Sequence, residues 1–368
     1  MFEGVLVVLL SIVTLTAGWA LMRISRIVSK HSYRPAPPNS NELPTVSVCI
    51  PARNEVHAMT ECLERVLASD YPKLEIIVLD DSSVDDTSIL IKSFAHAGVR
   101  FIEGRPLPEG WLGKNNALQG LLEAASGQYV LFLDVDTTLR PSSISQLVAT
   151  ATTHQYNLVS VLPQREDGLR ASVFLGTLRY FWILFSQHMT RPAMSGACWL
   201  VSREKLAALG GFGDYKACTQ PEDNIADVLK KSQLIISNKQ LGISYEKKWT
   251  SQVETSTRLL RPLLGGTAKS VMVAGIIVTM VIVPLIGMVV GVQRAHPVIL
   301  VLSGLSLLFL TCASLRYYKT VWRYGWWLGA LHWPYVLLQE AALILISIYK
   351  YSRGAVTWKG RLINASGR

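Results

Sequence analysis

The chain has 368 residues, half of them hydrophobic and only 17% charged, with a formal net charge of +10. So apolar a composition excludes an ordinary soluble protein of this length. The basic excess is mostly juxtamembrane and points to anionic lipid headgroups, with no nucleic acid as partner.

Taken in chain order, the first feature is an uncharged run, "GVLVVLLSIVTLTAGWALM" (4–22). It is long enough for a membrane-crossing helix, which takes about 20 residues. No basic stretch precedes it and no small-residue cleavage site follows closely, so it reads as an anchor (1–25) and not as a removed leader. Arg23, Arg26, Lys30 and Arg34 follow directly and place that side in the cytoplasm. A linker (26–44), rich in Pro, Ser and Asn over 32–44, separates the anchor from the next segment.

Residues 45–265 read as one α/β domain. "TVSVCIPARNE" (45–55) is a strand running into a polar loop, and "MTECLERVLASD" (59–70) has apolar residues at helical spacing. "KLEIIVLDDSSVDDT" (73–87) is a second strand, closed by Asp80 and Asp81 before a turn and a helix start. "VRFIEG" (99–104) is a third strand and "GKNNALQGLLEAAS" (113–126) a helix. "QYVLFLDVD" (128–136) is a fourth strand, ending on Asp134 and Asp136. Strands alternating with helices imply a parallel, doubly wound sheet, with ligands at the carboxyl ends of its strands.

The pair Asp134 and Asp136 would project to one face of an extended chain and repel unless a cation lies beside them. A hard divalent ion, Mg2+ or Mn2+, takes one or two such carboxylates and fills its shell with substrate phosphates. Acid pairs are also common on ordinary loops. The five cysteines, Cys49, Cys62, Cys198, Cys218 and Cys312, have no C-x-x-C spacing and read as core or membrane fillers in a reducing compartment. Three further points stay open. "LRYFWILFSQHM" (178–189) reads as a core helix or an interfacial one, Trp199 as core or as an acceptor wall, and Asp85 and Asp86 as helix-capping residues.

A C-terminal membrane region (266–350) follows, with uncharged runs at 271–292 and 298–315. A third run, 326–349, carries Pro334, Gln339 and Glu340, and a basic tail (351–368) closes the chain. Lys247, Lys248, Arg258, Arg261 and Lys269 precede the first of these runs and again mark a cytoplasmic side. Three full crossings would put Lys350, Arg353, Lys359 and Arg361 outside, against that tendency; a re-entrant or interfacial last segment, interrupted at Pro334, resolves the conflict.

In order, "VSVCIPARNE", "IIVLDDSSVDDT", "GKNNAL", "VLFLDVD", "SGACWLVSREKLAALGGF" and "PEDNIADVL" resemble the family 2 glycosyltransferases of the GT-A fold, over about residues 45 to 250. The flanking runs, "PEGWLGKNNA" (108–117) and the tail "VTWKGR" (356–361) are similar to the membrane glycosyltransferases of carotenoid and hopanoid pathways. The resemblance implies a Rossmann-like, nucleotide-diphospho-sugar transferase domain with one N-terminal and about three C-terminal transmembrane helices, in the cell membrane, with the catalytic domain cytoplasmic. It implies an inverting transfer from a UDP-sugar to a membrane lipid, a carotenoid or hopanoid-like terpenoid. A polyisoprenyl-phosphate acceptor is the alternative.

On the matching positions, Asp81 would bind the uracil and Pro51, Arg53 and Asn54 would lie in the loop lining the base. Lys114 would lie near the diphosphate, Asp134 would contact ribose or metal-bound water, and Asp136 would ligate Mg2+ or Mn2+. Asp223 would be the general base. Read without the resemblance, Lys114 is also a plain surface charge, and Glu222 and Asp223 the acidic first turn of a helix. Ser82 stands where the family has glycine, in a turn that favours φ > 0. The Q-x-x-R-W motif of processive synthases is missing, which implies addition of a single sugar.

Overall fold

The computed structural model describes residues 2–36, 43–166, 182–184, 192–246, 249–358 and 361–362. The segment 178–189 therefore lies almost wholly outside the described residues, as do Lys247, Lys248 and Lys359. The chain divides into two compact units.

One unit, His31–Arg165 with Ser186–Glu246, is built on a seven-stranded sheet. Its strands are β1 (Val46–Ala52), β2 (Leu74–Asp80), β3 (Val99–Glu103), β4 (Tyr129–Leu133), β6 (Leu158–Leu162), β8 (Cys198–Ser202) and β9 (Ser232–Ile236), in the order β3-β2-β1-β4-β8-β6-β9. β1 pairs parallel with both β2 and β4. The strand order reverses between β1 and β4, so the crevice for a ligand lies where those two strands end. The sheet is not wholly parallel: β8 runs antiparallel between β4 and β6. The entry to β8 therefore lies at the same edge as the exits of its neighbours, with Cys198 opposite Leu133 and Val161. A small second sheet joins β5 (Thr137–Thr138), β10 (Ser244–Tyr245) and β7 (Gln164–Arg165).

The helices of this unit follow apolar spacing. In α2 (Val56–Leu67), Met59, Cys62, Leu63 and Val66 are buried, one stripe at i, i+3, i+4 and i+7. Full burial of a side chain such as Leu63 contributes about 1.5–3 kcal/mol. The other helices are α3 (Thr87–Ser93), α4 (Gly113–Ala124), α5 (Ser143–Thr153), α6 (Arg203–Ala208) and α7 (Pro221–Leu229). Trp199 is core: its ring lies 4.6 Å from that of Phe132, and it is 1% exposed. Cys49, Cys62 and Cys198 are buried, and all five cysteines are free thiols. His31 to Tyr33 also belong to the sheet: Ser32 bridges to Ile236, and the Tyr33 N–H donates to the Ile236 carbonyl at 3.0 Å.

The other unit is helical. Among the described residues, three helices are long and apolar enough to cross a membrane: α1 (Phe2–His31), α9 (Thr267–Gln293) and α10 (Pro297–Val321). The remaining apolar run is broken into α11 (Trp326–Leu331) and α12 (Trp333–Ser352), with Pro334 in the first turn of α12, where a missing N–H costs nothing. Trp333 packs with Ala17, Val281 and Leu310, and its indole N–H donates to Thr311 Oγ1 at 3.1 Å. Those partners lie well inside α1, α9 and α10. Farther along α12, Ala341, Leu343 and Ile344 pack with Leu260, Ala274 and Ile277, near the start of α9. The end of α12 is tied to α8 (Trp249–Leu263): Ser347 Oγ donates to the Thr257 carbonyl at 2.6 Å and Tyr351 Oη to the Arg258 carbonyl at 2.7 Å. α12 thus starts beside the middle of α1, α9 and α10 and ends beside α8 and the start of α9.

Candidate active site

The polar ends of the strands meet at one edge of the sheet. At the exits of β1 and β2 two loops are laced together. The Asp81 N–H donates to the Ala52 carbonyl at 2.8 Å. Arg53 Nη1 donates to the carbonyls of Asp81 and Ser82, at 2.5 and 2.8 Å. The Asn54 N–H donates to Ser83 Oγ, and Asn54 Oδ1 accepts from the Val84 N–H, both at 2.9 Å. Asn54 and Ser82 both have positive φ, 52° and 54°. Pro51 lies within β1, paired with Leu79.

The two acids of "LDDSS" play different parts. Asp80 is buried, and its carboxylate accepts from the N–H and hydroxyl of Ser83 and from the hydroxyl of Ser88. It shapes the turn. Asp81 is also buried, one residue beyond the strand. Gly104 closes this corner: a Cβ there would lie 2.6 Å from the Asp80 carbonyl oxygen. Asp85 accepts from the N–H and hydroxyl of Thr87, at 3.1 and 2.5 Å, at the start of α3, while Asp86, the residue at the N-cap, makes no side-chain cap.

Strand β4 stops at Leu133, three residues short of the span expected from sequence. Asp134 and Asp136 sit in a turn closed by the Thr137 N–H on the Asp134 carbonyl at 3.0 Å. Val135 between them turns into the core, and both acids stay partly exposed. The chain is not extended there, yet the pair keeps its place at the sheet's mouth. Lys114, in the first turn of α4, donates to Asp134 Oδ1 at 2.5 Å and to the Gly196 carbonyl at 3.4 Å.

Asp223 lies in the first turn of α7, where the helix dipole favours negative charge. Its Oδ1 accepts from the Met194 N–H at 2.6 Å. Glu222, 7% exposed, packs so closely on Gly196 that a Cβ there would lie 2.6 Å from Glu222 Oε1. A run of contacts thus joins the stations: Asp223 to Met194, Glu222 to Gly196, Gly196 to Lys114, and Lys114 to Asp134.

One positioning residue was not singled out from sequence. Asn115, 2% exposed, points its Nδ2 at the carbonyls of Tyr215, Lys216 and Cys218, at 2.8, 3.2 and 2.8 Å. It fixes the approach to α7. Cys218 in turn accepts from Asn224 Nδ2 at 3.1 Å, and burial pushes its thiol above the ordinary range. A thiol kept protonated is a poor nucleophile, so Cys218 serves structure here.

Among the described residues, no group of three or more His, Cys, Asp or Glu side chains is placed to hold a metal. Asp134 and Asp136 fit another type of site, in which one or two carboxylates hold Mg2+ or Mn2+ and substrate phosphates complete the shell.

Residues 47–210 match the family model described as glycosyl transferase family 2. The match covers less than half of the chain, and with the fold it identifies a glycosyltransferase domain of the GT-A type. Over 114 residues it is 33% identical to the probable glycosyltransferase YdaM of Bacillus subtilis, covering 30% of this chain and 27% of the relative. Over 112 residues it is 31% identical to the GalNAc(5)-diNAcBac-PP-undecaprenol beta-1,3-glucosyltransferase of Campylobacter jejuni, covering 30% of this chain and 35% of that one. The chain spans about a third of the length of the curated relatives it matches. The mannosyltransferase PcManGT from Pyrobaculum calidifontis, solved in complex with GDP-Man and Mn2+, superposes with a TM-score of 0.57 at 18% identity, over 97% of this chain and 99% of that one. Identity that low carries the fold alone.

Proposed function

We propose that the protein transfers one sugar from a UDP-sugar to the polar end of a membrane lipid, with inversion at the sugar carbon. The observation that carries this reading is the placing of acids at the carboxyl ends of strands in one sheet, Asp81 after β2 and Asp134 and Asp136 after β4, with Lys114 bonded to Asp134 and Asp223 to the Met194 N–H. The wedge between β1 and β4 is where a doubly wound sheet takes its ligand. The PcManGT structure shares this fold and was solved with GDP-Man and Mn2+, a nucleotide sugar with a different base from the one proposed here.

In this reading Asp81, buried beside the Arg53–Asn54 loop, accepts from the uracil N3–H, and Pro51 shapes the same wall. Lys114 neutralises diphosphate charge and holds Asp134 in place. Asp134 and Asp136 would hold Mg2+ or Mn2+, which when bound offsets the charge on the departing diphosphate. Asp223 takes the acceptor hydroxyl's proton as that oxygen attacks the sugar carbon; the bond to UDP breaks in the same displacement. Its hydrogen bond from the Met194 N–H fixes the carboxylate.

The acceptor class follows from three helices able to cross a membrane in the same chain as the catalytic domain. A carotenoid or hopanoid-like terpenoid alcohol suits a domain held at a bilayer. A polyisoprenyl phosphate is the second reading; the Campylobacter relative, whose name puts a sugar chain on undecaprenol diphosphate, supports a polyisoprenoid lipid on the acceptor side only. The catalytic domain would face the cytoplasm, on the side of the basic residues that flank α1 and α9.

Titration of the full-length protein in detergent with UDP tests the donor half. Binding that requires Mn2+, and that is lost in Asp136→Ala, supports the reading. Equal binding with EDTA, or in the variant, contradicts it.

A further inference from the structure

Ser82 occupies the left-handed region at φ 54°. For a residue with a Cβ that region is disfavoured, and serine lacks the enrichment there that asparagine shows. Something must hold the turn. Rotating the peptide plane between Asp81 and Ser82 would bring φ of Ser82 negative, and it would swing the Asp81 carbonyl to the opposite side. That carbonyl accepts from Arg53 Nη1 at 2.5 Å. The same nitrogen reaches the Ser82 carbonyl at 2.8 Å, across the other side of the strained residue. One guanidinium nitrogen thus grips both carbonyls that flank the positive φ.

The rest of the corner restricts how the turn could relax. The Asp81 N–H is held by the Ala52 carbonyl, so the residue is fixed at both ends of its backbone. Ser83 is tied by its N–H and hydroxyl to Asp80. Gly104 backs the turn, where a Cβ would come within 3.0 Å of Asp81 Cα. Rotation of the 81–82 peptide itself is opposed at its N–H by the Asp80 carbonyl, which accepts from Ser82 at 2.9 Å, and at its carbonyl by Arg53.

We propose that Arg53 is a positioning residue that locks the 81–82 peptide so that Asp81 is presented to the nucleotide, a conformation that glycine at position 82 would hold without it. This rests on the reading of that edge as the donor site. It differs from a base-stacking role, because the guanidinium acts through the backbone of Asp81 and Ser82. A positively charged donor suits such a clamp, since hydrogen bonds from a charged group are roughly twice as strong as neutral ones. Glycine adopts φ > 0 without steric cost, so Ser82→Gly removes the need for the clamp.

The test is a double-mutant cycle on the full-length protein in detergent, with Arg53→Ala, Ser82→Gly and the pair. Two readouts are taken: amide hydrogen exchange at Ser83 and Val84 without ligand, and affinity for UDP with Mn2+. Arg53→Ala is expected to speed exchange at both amides and to weaken UDP roughly five- to thirtyfold, the factor a left-handed conformational cost corresponds to. With glycine at 82, removing Arg53 is expected to change affinity by less than about threefold and to leave exchange slow, the coupling that such a cycle isolates. Exchange unaffected by Arg53→Ala, or no rescue by Ser82→Gly, overturns the proposal. If the wild type binds no UDP, the donor reading fails by itself, and exchange alone still decides the role of Arg53.

Discussion

Lys114 Nζ lies 2.5 Å from Asp134 Oδ1, at the point where β4 ends and α4 begins. The two side chains are 29% and 30% exposed, so this is a pair at the mouth of a crevice and not a buried ion pair. Ion pairs that reach solvent contribute about 0–1 kcal/mol to stability. The pair is therefore better explained by what it prepares than by what it stabilises.

Lys114→Met is expected to lower melting temperature little and donor use strongly. Its removal leaves Asp134 and Asp136 as near like charges and takes a cation from the diphosphate. A loss of about ten- to a hundredfold in kcat/KM, mostly in donor KM, is the expected size for one charge-assisted contact. Thermal unfolding and donor kinetics on the same preparation check it. A large melting shift with unchanged kinetics would assign Lys114 to structure.

Asp223→Asn keeps an oxygen for the Met194 N–H and removes the base. A general base contributes about 10²–10⁴-fold in rate. Transfer is expected to fall by that factor while UDP affinity stays near wild type, read by rapid-quench transfer and UDP titration. Near wild-type kcat would move the role to another group, with Glu222 against Gly196 the first to test.

The strand exits that carry the candidate site were readable in the sequence, because an apolar run closed by acids marks where the chain leaves a sheet. Asp134 and Asp136 mark a strand exit whether or not the strand reaches them, and the turn at Asp134 changed only the local geometry. Less was legible where the deciding contact is distant in sequence. Asn115 in "GKNNAL" looks like a surface residue of a first helical turn, yet it binds carbonyls a hundred residues away. The reversed strand β8 has the same apolar pattern as its parallel neighbours, since burial on both faces hides direction. The stretch after the first apolar run reads as linker from its prolines, while Tyr33 docks on β9 through a backbone bond that composition does not encode.

Glu75 offers a pH test of the sheet's other edge. Burial alone would raise its pKa. The Ser47 hydroxyl, the Ser126 N–H and hydroxyl, and Arg100 outweigh burial and hold it below the ordinary carboxylate range. A depressed folded-state pKa gives stability that is present above the unfolded value, about 4.3, and lost as pH falls through the folded value. Wild type is therefore expected to be more stable than Glu75→Gln above about pH 5, with the gap closing below about pH 4. Thermal unfolding of both proteins across that range checks the sign; a gap that widens on acidification contradicts it.

The course of α12 gives a topology test. Its end binds α8 through Ser347 and Tyr351, so Ser352 and the residues preceding α9 share one end of the helical unit. Ala295, in the turn between α9 and α10, lies at the opposite end. With an impermeant thiol reagent on intact cells, in a background lacking native cysteines, Ala295→Cys is expected to label. Ser352→Cys is expected to label only after permeabilisation. Labelling of both in intact cells would mean that α12 crosses fully.

The central claim is transfer of a sugar to a lipid held in the membrane. Membranes containing the full-length protein, given Mn2+ and labelled UDP-sugars, followed by solvent extraction and mass identification of the labelled lipid, test it directly. The expected result is a lipid carrying a single added sugar from one of the donors, formed by wild type and not by Asp223→Asn. Donor turnover with all label left in the aqueous phase, or the same labelled lipid from Asp223→Asn membranes, would contradict it.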